Sequence, residues 1–200
     1  MTDAVSFLSW PSQLVAPALL GWRLSCVSAD GAVSIRLTEV EAYAGEADPA
    51  SHAFRGKTAR NAVMFGPVGH LYVYFSYGMH WCANVVVGGD GVAAAVLLRA
   101  GRVVEGVELA RARRGPRVAD RSLARGPACL TQALAIGREH NGASLTSSGP
   151  LSLTYGEPPS AVSSGPRVGV SRAADVPWRF WATGDPSVSA YKRSSGTQGR

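Results

Sequence analysis

Apolar and polar residues alternate with period two over residues 71–76 and again over residues 79–87, with Gly78 between them. This pattern predicts a β-hairpin, LYVYFSYGMHWCAN at 71–84, with Tyr77 at its apex. A turn, GGDG at 88–91, and another alternating run at 92–99 extend the hairpin to a three-stranded meander. Residues 33–43 alternate in the same way, with Val33, Ile35, Leu37, Glu39, Glu41 and Tyr43 expected on one face, so that an apolar face ends in two carboxylates. Helical spacing is expected in VAPALLGWRLSC at 15–26, over 103–114, and over 127–138, the last opening at Gly126-Pro127 and stopping before Asn141-Gly142.

Between these elements, residues 44–69 carry Gly, Pro, Ser and Asp throughout with no sustained period, which reads as a long loop with one helical turn; loops of this length in a compact domain are usually functional. Beyond Gly142 the composition turns to Ser, Gly and Pro, giving short strands joined by turns or a looser excursion, and late strands are expected at 167–170 and 178–182. The organisation expected is a lead-in at 1–14, one domain at 15–190 and a polar tail at 191–200, without internal repeats.

Charge alters the picture of the hairpin tip. The net charge is +6, from 20 basic against 14 acidic residues, and only Lys57 and Lys192 of the basic set are lysines. Arginine makes bidentate phosphate contacts and stacks on rings, so the excess suits a polyanion, although a GC-rich genome enriches arginine with no functional cause. An exposed tyrosine on such a chain can stack on a base or wedge between base pairs. Cys26, Cys82 and Cys129 are odd in number and include no CxxC pair, which suggests neither a disulfide framework nor a zinc knuckle and points to a reducing compartment. No run approaches a membrane span or a signal peptide, so the expected location is the cytosol.

Glu41 is the strongest catalytic candidate on first principles. It ends an apolar strand face, follows Glu39 by two positions and precedes Tyr43. A partly desolvated carboxylate there can orient a water as general base or stabilise positive charge developing on a sugar; a pair of solvated acids at a strand end is the plainer alternative. His52, His70, His80 and Cys82 could ligate a metal, but there is no HExxH and no H-x-E followed by PCxxC, which disfavours a zincin or a zinc deaminase. No GxSxG elbow is present and neither lysine sits in an apolar segment, leaving water as the expected nucleophile. Arg125 and Gly126 open a helix whose free amides favour a phosphate, or simply provide capping geometry.

Several motifs occur together: TEVEAYAG at 38–45 followed by His52, LYVYFSYGMHWCAN at 71–84, LLRA at 97–100, RGPACLTQAL at 125–134, and PRVGVSRAADVPWRFWATGDPSVS at 166–189. In this order they resemble the alkyladenine (3-methyladenine) DNA glycosylase family over residues 15–190. The resemblance implies an α+β fold, a single mixed domain with a curved antiparallel sheet flanked by helices and a protruding hairpin that enters the minor groove of DNA. It implies no metal or organic cofactor, a monomer, and double-stranded DNA with alkylated or deaminated purines as partner. By the same resemblance Glu41 would activate water, Tyr43, His52 and Tyr74 would hold the extruded base, and Tyr77 would fill the gap in the duplex. Asn84 would crowd the exocyclic amine of guanine, and Arg99 would order the site and the nearby backbone. The chain departs from the family pattern at Cys129, where a basic residue is common, and at Ser76-Tyr77, where bulkier apolar neighbours are common. A non-catalytic binder of damaged nucleic acid and a nucleoside hydrolase are the competing readings of the same residues.

Overall fold

The computed structural model describes residues 4–76, 78–89 and 91–194. Two short helices, α1 (Ala4–Leu8) and α2 (Ser12–Ala18), precede the first strands, β1 (Arg23–Ser28) and β2 (Gly31–Tyr43). The helix expected over 15–26 therefore ends early. Gly21 adopts φ 90, and from Arg23 onward Leu24 and Cys26 are buried in alternation with more exposed neighbours. A short apolar run fits either period, and here the glycine break and the pairing with β2 decide for a strand.

The remaining strands are β3 (Leu71–Ser76), β4 (His80–Val87), β5 (Ala94–Glu105), β6 (Ala124–Arg125), β7 (Leu151–Thr154), β8 (Val162–Gly165) and β9 (Arg179–Ala182), with helices α3 (Val107–Arg114) and α4 (Pro127–Leu134). All nine belong to one antiparallel sheet, with main order β3-β4-β5-β2-β1-β7; β6 pairs with β5, and β9 joins β2 to β8. The chain is thus a single-domain α+β fold, and the expected meander of β3, β4 and β5 is present. Its third strand runs on to Glu105, so α3 begins four residues later than expected. Helix α4 ends at Leu134 rather than at 138, because Ala135 takes φ 55 and closes the helix in the left-handed region.

Strand β2 departs from the expected single face. In its pairing with β5, Leu37 faces Gly101 and Glu39 faces Ala100, which leaves Thr38 as an extra residue; Val40 then faces Leu98, which leaves Arg99 extra on the other strand. These facing bulges shift the phase of β2 by one residue. Val33, Ile35 and Leu37 lie in the main apolar core before the bulge, and Val40 and Ala42 lie in it after the bulge. Glu39, Glu41 and Tyr43 consequently point to the opposite face, so the carboxylates do not prolong the apolar face but stand behind it.

Each sheet face has its own apolar cluster. The main core takes Leu71 and Val73, Ala83 and Val85, Val96 and Leu98 from successive strands and is covered by α2 and α4 through Val15, Leu130 and Leu134. On the other face Tyr72, Val86, Ala93 and Ala95 pack with Ala53 and Met64 of the long 44–69 segment. That segment folds back over the sheet with two short 3-10 turns, Gly45–Ala47 and Ala62–Phe65, rather than one. Asn61, buried within it, donates to the carbonyls of His52 (2.9 Å) and Gly56 (3.0 Å) and accepts from the Thr58 amide, which fixes a loop that lacks regular structure. The strand expected at 167–170 is a turn around Gly169 (φ 71), since the Val168 amide donates to the Glu41 carboxylate and the Gly169 amide to the Lys192 carbonyl instead of to a ladder.

Candidate active site

The second sheet face holds a cavity of about 620 Å³. Its floor comes from alternate residues of adjacent strands, Tyr72 and Tyr74 of β3, Cys82 and Asn84 of β4, Ala95, Leu97 and Arg99 of β5, and Tyr43 of β2, and its rim comes from 49–52, Arg60 and 168–172. Period-two strands in register make such a floor automatically, since every second side chain of each strand points the same way.

Aromatic rings define the interior. His52 meets Tyr74 edge to face at 4.5 Å between centroids, and Tyr72 and Tyr74 stack at 5.6 Å with planes 29° apart. His52 Nδ1 is 3.1 Å from the Tyr72 hydroxyl. Burial lowers the His52 pKa from its ordinary 6.5, and the positive charge of Arg60 lowers it further, so the ring is neutral at physiological pH. Asn84 Nδ2 donates to the Tyr72 carbonyl at 3.1 Å, which holds its amide against the floor. Burial also pushes the Tyr43 hydroxyl well above its ordinary pKa, and the adjacent Glu41 carboxylate adds to the effect, so this hydroxyl stays a proton donor.

Behind this wall sit two carboxylates, Glu39 and Glu41, both 0% exposed. Glu39 accepts from Arg99 Nε (2.8 Å), Arg179 Nε (2.7 Å), the Ser189 amide (2.7 Å) and the Ser189 hydroxyl (2.9 Å). Burial raises its pKa, but Arg99, the Ser189 amide and Arg179 outweigh that and hold it below the ordinary glutamate value. Glu41 accepts from the Tyr43 hydroxyl at Oε2 (2.9 Å) and from the Val168 amide at Oε1 (2.7 Å), with Arg99 Nη1 3.4 Å from Oε1. Tyr43, Arg99 and Val168 all line the cavity. Glu41 is thus connected to the cavity through its three partners, as an acceptor already aligned by donors on both oxygens. Arg99 loses hydration on burial, yet Glu41 and Glu39 more than compensate and raise its pKa.

Of the residues singled out in the sequence, Glu41, Tyr43, His52, Tyr74, Asn84 and Arg99 converge on this one site. Tyr77 lies outside the described residues; the strands that flank it pair antiparallel, with Ser76 opposite His80. Arg125 and Gly126 stand apart from the pocket wall. Arg125 donates to the Val188 carbonyl at 2.8 Å, and Gly126, with φ 102, precedes α4, whose Pro127 reaches the cavity. At the other departure from the family pattern, Cys129, the Arg114 guanidinium of α3 lies 2.9 Å from the sulfur. All three cysteines are free.

Sequence reasoning missed four members of the site: Asp48, Arg167, Arg179 and Ser189. Arg179 and Ser189 complete the ligation of Glu39, while Arg167 and Asp48 form a buried ion pair that anchors the 44–69 segment to the turn at 168–169. Their partners lie 119 to 150 residues away in the chain, which no local spacing reveals. The remaining signal was compositional, an arginine inside each of two apolar or aromatic stretches, PRVGV and WRFW.

The site thus sets flat aromatic walls beside a buried carboxylate held on both oxygens. Comparison with known proteins specifies the class: the methylpurine-DNA glycosylase family model matches residues 6–186, and the chain belongs to that family. It is therefore a DNA glycosylase, a hydrolase of N-glycosyl bonds, and DNA is its substrate. Relatives provisionally named 3-methyladenine DNA glycosylase include one from Streptomyces avermitilis, 53% identical over 191 residues, covering 93% of this chain and 90% of the relative. Another from Nocardia farcinica is 55% identical over 172 residues, covering 82% and 81%, and one from Leifsonia xyli subsp. xyli is 52% identical over 193 residues, covering 92% and 90%. Among the described residues no helix is long and apolar enough to cross a membrane.

Proposed function

We propose that this chain extrudes alkylated purines of the 3-methyladenine and 7-methylguanine type from duplex DNA and hydrolyses their N-glycosidic bond with a water activated by Glu41. The observation that carries the reading is the buried Glu41 carboxylate held by Tyr43, Val168 and Arg99 against a cavity walled by Tyr43, Tyr74 and His52. A purine enters between the rings, and its stacking there offsets the few kcal/mol lost on leaving the duplex. A positive charge on an N-alkylated base weakens the bond to the sugar. As that bond breaks, its electron pair leaves with the base, the sugar takes on oxocarbenium character beside the Glu41 carboxylate, and the water oxygen bonds to C1′ while its proton passes to Glu41. Asn84 bears on the edge of the base and crowds the exocyclic amine of guanine, which disfavours undamaged guanine while a base whose glycosidic bond is already weakened by alkylation still reacts, and Tyr77 fills the space vacated in the duplex.

The product is an abasic site in an unbroken strand, because among the described residues no lysine that could form a Schiff base lines the cavity. One hairpin at one lesion needs no second copy, so the working species is a monomer. The test is incubation of the protein with N-methylated duplex DNA in EDTA, following free base and strand breaks. Release of methylated purine, with breaks only after alkali, supports the reading; tight binding without release favours a non-catalytic binder.

A further inference from the structure

Among the described residues Arg167 is the largest fully buried side chain, and it has no part in the chemistry described above. Its Nη2 donates to Asp48 Oδ1 at 2.9 Å, and its Nη1 donates to the other Asp48 oxygen and, at 3.0 Å, to the Ala42 carbonyl. The guanidinium lies 4.7 Å from the centroid of the Tyr43 ring and 5.2 Å from that of Trp178. A buried ion pair is a poor device for stability alone, because apolar side chains of the same volume often serve as well. Among the described residues Arg167 Nε makes no hydrogen bond, a cost that a group selected for stability would avoid.

Its neighbours show what it does. The next residue is Val168, whose amide donates to Glu41 Oε1, and the ring it packs against belongs to Tyr43, whose hydroxyl donates to Glu41 Oε2. The Val168 N–H belongs to the planar peptide unit that starts at the Arg167 Cα, so anchoring the Arg167 side chain restricts where that N–H can stand. We infer that Arg167, clamped by Asp48, is a positioning residue that sets the orientation of the Glu41 carboxylate through both of its oxygens. The same clamp ties the segment carrying His52 to the segment carrying Val168, and so holds two rims of the cavity together.

The inference rests on Glu41 being the base, and its test keeps the two separable. In the double variant Arg167→Met/Asp48→Asn the buried charges are removed together and the volume is nearly kept; Arg167→Lys, which retains one charge but neither the fork nor the stacking, is the second variant. The readouts are base release under single turnover, affinity for a duplex bearing a stable abasic analogue, and the melting temperature. Both variants should release base at least tenfold more slowly, with duplex affinity changed less than twofold. Supply of a small guanidinium compound should restore part of the rate in Arg167→Ala. Unchanged release, or a loss of release that follows a matching loss of duplex affinity and of folded protein, overturns the inference. If the wild type itself releases no base, the reading of Glu41 fails instead.

Discussion

Replacing Glu39 with glutamine tests whether the cluster behind the pocket is held by charge. In the native protein Glu39 and Glu41 face Arg99 and Arg179, two carboxylates against two guanidinium groups, with Glu39 accepting from both arginines. Glu39→Gln is nearly isosteric but leaves two buried cations with one carboxylate. Breaking a buried pair by removing one charge costs about 3–5 kcal/mol. For a domain of this size each kcal/mol lowers the melting temperature by about 2–4 °C, so the expected fall is on the order of 10 °C. Thermal melts and urea titrations followed by circular dichroism measure it. The pH dependence has a definite sign: a carboxylate whose folded pKa lies below its ordinary 4.5 contributes stability in full above that pH and loses it as pH falls through the folded value. The gap between wild type and variant should therefore be widest near neutrality and close in acid. A melting temperature within about 2 °C of wild type at pH 7 would show that charge does not hold the cluster, the arginines finding equal solvation without it.

The other expectations are more local. The His52 ring, followed by NMR, should titrate below 6.5, and Arg60→Gln should move its midpoint back up, because burial and the Arg60 charge both disfavour the imidazolium. Asn84→Ser should open the floor and allow measurable release of undamaged guanine from duplex DNA, with melting temperature little changed. Gly45→Ala should lower stability by about 2 kcal/mol or more, read by urea titration, because φ is +67 there and an added Cβ would stand 2.3 Å from the Val92 carbonyl oxygen.

Strand structure near the site was legible in the sequence because both faces of β3 and β4 are packed. Leu71 and Val73 point to the core while Tyr72 and Tyr74 point to the cavity, so the alternation spans the whole element and its ends fall within a residue of expectation. The same period misled over 33–43. Simple alternation cannot register an inserted residue, although the cue was present: the apolar positions move from 33, 35 and 37 to 40 and 42, while the carboxylates keep 39 and 41. Reading that change of phase as a bulge would have placed Glu41 on the cavity side from the start. The 15–26 stretch failed for a different reason, as its apolar density is compatible with either element and only Gly21 marks the division.

The Asp48–Arg167 pair and the Arg179 and Ser189 contacts to Glu39 were invisible for a third reason. They are side-chain contacts between segments far apart in the chain, made by residues that have no special spacing. Candidate residues were therefore readable where one element carried them, as with Glu41 and Tyr43 on β2. They were hidden where the fold had to bring two loops together.

The proposed chemistry turns on Glu41 as the group that activates water. Single-turnover release of 7-methylguanine from a duplex of defined sequence, compared between wild type and Glu41→Gln with protein in excess, addresses it without interference from product release. Glu41→Gln should lose release by a factor on the order of a thousand or more while still binding the lesion-bearing duplex as tightly as wild type. Release by Glu41→Gln within tenfold of wild type would contradict that role, and would require a different group to take the proton from water.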